Sequence, residues 1–140
     1  MANLTITAAS VVAGAGAAIV DAIAAATITA GQALYRDETT GVVGLADGDS
    51  GTSQVRAVYG IALNGGAAGQ PIRVQRSGPV TIGATLVAGT VYALSRTPGA
   101  IAPVADLTTG DYPTVIGMAT STTVLAINIQ AAGVWMLVAR

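Results

Sequence analysis

The eleven residues "TITAGQALYRD", Thr27 to Asp37, are nearly rewritten as "TLVAGTVYALS", Thr85 to Ser95. Each passage opens on Thr, reaches an Ala-Gly pair and follows it with a Tyr. The echo continues down the chain in order. Ala30-Gly31 answers Ala88-Gly89, 58 positions on; Tyr35 answers Tyr92, Gly41 answers Gly99, and Ala46-Asp47 answers Ala105-Asp106. "GIA" at Gly60 to Ala62 meets "GMA" at Gly117 to Ala119, and "IRVQRSG" from Ile72 meets "INIQAAG" from Ile127. The offset drifts between 59 and 55, as small loop insertions and deletions produce. Convergence on common turn words is the plain alternative, and six matches in sequence order weigh against it. Two copies of this length are too few and too long for a solenoid.

Every matched piece is short and bounded by Gly, Thr, Pro or Asp, the punctuation of strands and turns. "AVYGIAL", "PIRVQ", "TVYALS", "TVIGMAT" and "VLAINIQ" are rich in β-branched residues and alternate or run apolar for five to seven positions. The pattern predicts an all-β fold, a compact sandwich or barrel built from two similar strand sets at about 27–78 and 85–133, with extended N- and C-terminal arms. One domain is expected overall: an arm or first strands over 1–26, the β body over 27–133, and an apolar arm over 134–140. In the first segment "GAAIVDAIAAA" has the Ala content of a helix, but Gly14, Gly16, Ile19, Val20 and Ile23 favour an extended strand. "LTIT" alternates, with Leu4 and Ile6 on one face and Thr5 and Thr7 on the other.

Composition narrows the possible functions. At 140 residues roughly two-thirds of the unfolded surface can be buried, so a core needs no staples. Charged residues make up only 9% of the chain, against ~25% in an average soluble domain, which points to a surface covered by partners. There is no Lys and no His, and the six arginines are scattered, so no basic face exists to hold nucleic acid. Residues 8–30 raise the question of a membrane span. Asp21 near the middle costs about 2.5–3.5 kcal/mol there, and Ala and Gly contribute little transfer energy, so no membrane partner is expected. "MANLTIT" puts no Lys or Arg ahead of an apolar run, so no secretory leader is expected either.

Without His, Cys or Lys, the common nucleophile-and-base pairs cannot be built within one chain. Carboxylate pairs remain, but Asp37, Glu38, Asp47, Asp49 and Asp111 stand in turn-like contexts, where Asp usually bonds its own backbone two residues on. "ADGDSG" at Ala46 has two alternate Asp residues but lacks the further ligands and distal Glu of a calcium loop. "GAGAA" at Gly14 lacks the third Gly of a dinucleotide fingerprint. No catalytic, cofactor-binding or metal residue is nominated, and the chain is not expected to be an enzyme. Arg73 and Arg76 have two readings, outward solvated positions or an ion pair with a neighbouring subunit.

The termini carry the remaining signal. After "QAAG" the chain runs "VWMLVAR", with its single Trp at Trp135. A tail this apolar must pack, either onto its own sheet or into another subunit. Trp and Met are enriched at interface cores. The candidate interface residues are therefore Leu4, Ile6, Trp135, Met136, Leu137 and Val138.

"GIALNGGAAGQP", Gly60 to Pro71, and "PGAIAPVADL", Pro98 to Leu107, resemble small head decoration (cement) proteins of tailed bacteriophages. The resemblance covers about the C-terminal two-thirds of the chain; Pro98 departs from the "GGIAP" phrase and stiffens its turn. It implies a β-rich homo-oligomer, commonly a trimer, that binds the major capsid protein and stabilises contacts between capsomers. The implied location is the outer surface of the virion capsid, after synthesis in the bacterial host cytoplasm. The alternative is a head-fibre or receptor/carbohydrate-binding β module, which would need exposed aromatics among Tyr35, Tyr59, Tyr92, Tyr112 and Trp135.

Overall fold

The computed structural model describes residues 3–108 and 111–131. Ten strands follow in order: β1 (Val12–Ala13), β2 (Ala18–Ile23), β3 (Ala33–Arg36), β4 (Val43–Leu45), β5 (Gly60–Ala62), β6 (Pro71–Thr81), β7 (Val91–Leu94), β8 (Ile101–Pro103), β9 (Thr114–Ala119) and β10 (Val124–Ala131). The single α-helical turn among them, α1, covers Ser53–Arg56. The fold is all-β, and every pairing between named strands is antiparallel.

β6 organises the molecule. It opens on Pro71, whose missing N–H is tolerated at a first strand position, and its eleven residues outrun every other strand. Its first half pairs with β2 on one edge and β5 on the other; its second half pairs with β1 and β10. The sheet order is β4-β3-β5-β6-β10-β9-β7-β8, with β1 and β2 added to the outer edge of β6.

The two arms of this sheet pair alike. Leu34↔Leu45, Tyr35↔Gly44 and Arg36↔Val43 join β3 to β4, and 58 positions on Tyr92↔Pro103, Ala93↔Ala102 and Leu94↔Ile101 join β7 to β8. Ala33↔Ile61 and Leu34↔Gly60 are matched by Val91↔Met118 and Tyr92↔Gly117. Ala62↔Val74 is matched by Ala119↔Leu125.

This register corrects two of the residue matches. Leu34, not Tyr35, stands where Tyr92 does. Val74 corresponds to Leu125, so "IRVQRSG" and "INIQAAG" are not in register. The reason is loop length: the segment from Ala62 to Val74 spans a long turn, whereas Ala119 reaches Leu125 through a four-residue loop.

The arms curl toward each other as a half-barrel and share one core. Ala33, Ala46 and Ile61 from the first arm pack with Tyr92, Leu94, Ile101, Ile116 and Leu125 from the second. The opposite face of the first arm buries Leu34, Val43, Ala62, Ile72 and Val74 under Ala24 and Ile28. Alternation along β3 and β5 therefore serves two cores, one on each face. The arms also meet through backbone bonds, Gly99 N to Ala46 O at 2.7 Å and Ala33 N to Gly99 O at 2.9 Å.

The N-terminal residues belong to this body. Residues 18–23 form a strand, as the β-branched pattern anticipates, and the alternation of "LTIT" appears in its burial. Leu4 N donates to Ile101 O and Thr7 N to Gly83 O, both at 2.8 Å, so the segment crosses one end of the second arm. Leu4 and Ile6 pack partly buried against the shared core. Gly31 makes room for Ile6: it has φ +92°, and a Cβ there would stand 2.5 Å from Ile6 Cγ2.

Candidate interaction surface

Three of the six arginines gather at the corner around α1. Arg36 at the end of β3 and Arg76 in β6 flank a hollow of about 230 Å³ whose walls include Glu38, Gln54 and Tyr59. The Arg76 guanidinium lies 4.0 Å from the centroid of the Tyr59 ring, and its Nε donates to Tyr59 O at 2.9 Å. On the far side of α1, Arg56 stacks 3.6 Å from the Tyr112 centroid and donates to Ser50 O at 2.9 Å. Stacking a guanidinium on an aromatic face satisfies both groups locally. Arg76 is exposed and bound within its own chain. Arg73 is exposed in β6, directly opposite Asp21 in β2.

The tyrosines are similarly committed. Tyr92 is buried in the shared core, with its hydroxyl accepting from Val87 N at 3.1 Å. Tyr35 covers Gly44, where a Cβ would meet the ring at 2.9 Å.

Asp37, Asp47 and Asp111 act as turn formers. Asp37 Oδ1 accepts from Thr39 N at 2.8 Å and Thr40 N at 2.9 Å. The Thr40 backbone N–H, then that of Thr39, holds this carboxyl below its ordinary range. Asp47 accepts from Asp49 N at 3.3 Å; desolvation pushes its carboxyl up, and the hydrogen bond with the Asp49 side chain adds to that. Asp111, almost wholly buried, accepts from Thr108 N at 2.8 Å and pairs with Arg96 Nε at 3.3 Å. No group of three or more His, Cys, Asp or Glu suited to a metal occurs among the described residues. None of their helices is long and apolar enough to cross a membrane.

Apolar surface and strand edge are exposed as well. Among the described residues, Val12, Ile23, Val87, Val104 and Met118 are the large apolar side chains left exposed. Met118 stands in a row with Val91 and Ala126 across the outer face of β7, β9 and β10. Among the described residues β2 pairs with β6 alone, and just past its end Ala24 bridges to Val43 of β4 and Ala25 N donates to Val43 O at 2.7 Å.

Leu4 and Ile6 come together at the end of the second arm. Trp135, Met136, Leu137 and Val138 lie outside the described residues. The sequence reading missed the β2 edge, although Asp21, a lone charge inside an apolar strand, is a known way of guarding an edge.

No family model matches this chain, and no curated protein matches it.

Proposed function

We propose that this chain is a structural assembly protein, a decoration protein that binds the outside of a phage head as a homo-oligomer, trimeric by preference, and joins neighbouring capsomers. On this reading the recurring strand pattern is an internal duplication that makes a rigid body, and affinity comes from modest apolar contacts multiplied over a repeating lattice.

The observation that carries the reading is the way the polar chemistry is already used. Arg56 and Arg76 each stack on a tyrosine and bond a backbone carbonyl, and Asp37 and Asp111 close turns. Apolar side chains and an open strand edge are left facing out. Such a surface suits protein contact better than turnover. The resemblance of Gly60–Pro71 and Pro98–Leu107 to head decoration proteins supplies the partner, the major capsid protein. A carbohydrate-binding module would want open ring faces, and Tyr59 and Tyr112 each lie under an arginine.

The test is to measure the mass of the purified protein by sedimentation and then add it to undecorated heads of the encoding phage. The expected result is an oligomer that binds the heads stoichiometrically and raises their melting temperature. A monomer that leaves the heads bare and unchanged would overturn the reading.

A further inference from the structure

The open edge of β2 has a definite chemistry. Ala24 N donates to Gln70 O at 2.9 Å, and Ala24 O accepts from Gly69 N at 2.8 Å, so both backbone groups of Ala24 face β6. Strand alternation turns Ala22 and Val20 the same way and directs the N–H and C=O of Ile19 and Asp21 outward. These outward groups have no partner among the described residues. Beside them Ile23 is 45% exposed, and Asp21 is the only charge on the strand. An edge with unpaired backbone groups and apolar flanks is a template for one more strand.

We propose that the edge of β2 receives residues 133–138 of a second copy of this chain as an added strand. The inference deepens the assembly function proposed above and rests on it.

Three observations choose this occupant. First, "GVWMLV" has no Pro, is β-branched and aromatic, and matches the length of β2; the only charged side chain in residues 132–140 is Arg140, opposite in sign to Asp21. Second, β2 suits itself poorly. The antiparallel self-pairing that uses Ile19, Asp21 and Ile23 together sets Asp21 directly against Asp21, and like charges at that position repel. Third, the chain's own segment starts on the wrong side. Ala131 pairs with Thr114 and shares a hollow with Ser53, Arg56 and Tyr112, on the edge of β6 that carries β5 and β10. β2 lies on the opposite edge of β6. A strand passed from each copy to the next is a heterologous contact, which closes into a ring when the rotation between copies closes and otherwise runs on as a filament.

The full chain is followed by sedimentation and by the emission of its one Trp, Trp135, across a range of concentration. The expected result is a rise in mass together with a blue shift as Trp135 leaves water. Asp21→Pro removes an outward N–H without touching a β2–β6 backbone bond, and Met136→Pro blocks the added strand. Each is expected to move both transitions to about tenfold or higher concentration. The double variant should be no weaker than the weaker single one, because both remove the same contact.

If Asp21→Pro loses its circular dichroism, Met136→Pro decides alone. A monomer with blue emission at every concentration would mean that the segment packs on its own copy, and would overturn the inference. So would association that survives either folded variant. In that last case, if the protein still binds heads, the assembly function stands and only this contact falls. A monomer that also ignores heads overturns both.

Discussion

Gln75 shows how one side chain holds a bend. It is fully buried where β6 passes from the first arm to the second, and its Nε2 donates to Ser77 O at 3.2 Å and Pro79 O at 2.8 Å. Its Oε1 finds no partner there. Gln75→Leu removes both bonds while Pro79 O keeps Gly14 N at 2.8 Å, and is expected to cost about 1 kcal/mol, read as a lower urea midpoint with an unchanged slope. Asp37 makes a different prediction at the same scale. Its folded-state pKa is depressed by the Thr40 and Thr39 amides, so the ionised carboxylate stabilises the fold above the ordinary value of 3.8. That contribution is lost as the pH falls through the lower folded-state value. Asp37→Ala should therefore lower the melting temperature at pH 7 and have much less effect at pH 2.

The first element of the chain is seated by glycines on the body it crosses. Gly31 adopts φ +92° directly beneath Ile6, and Gly83 adopts φ +75° where a Cβ would meet Thr7 O at 2.5 Å. Gly31→Ala meets both backbone strain and the Ile6 clash, and is expected to cost about 2–3 kcal/mol in equilibrium unfolding. Combining it with Ile6→Ala removes the clash and leaves the strain, so the cost of Gly31→Ala should fall to about 1 kcal/mol in that background. Equal costs in both backgrounds would show that the segment does not press on Gly31. At this scale the sequence was legible in part. The alternation of Leu4 and Ile6 predicted a two-faced extended segment. That its inner face meets Gly31 of the same chain depends on a contact between residues far apart in sequence, which no local pattern encodes.

The arms share a core, so the whole molecule is expected to unfold as one unit. Ile61 in β5 and Leu94 in β7 both belong to that core and are almost completely buried. Ile61→Ala and Leu94→Ala should each cost about 2–5 kcal/mol and shift a single cooperative transition, whichever arm is cut. Two separated transitions in either variant would show that the arms fold independently. The recurrence at Ala30-Gly31 and Ala88-Gly89 was legible because the turn residues and strand patterns of each arm are local properties, set by backbone conformation and side-chain alternation within a few residues. On that basis the sequence alone determined an all-β body with two like strand sets. Only the tertiary structure decided the register that pairs Leu34 with Tyr92 in role, the passage of β6 through both arms, and the edge of β2 left open. Those depend on which distant backbones share hydrogen bonds. Loops of unequal length between the same two strands shift that choice without leaving any mark in the strands themselves.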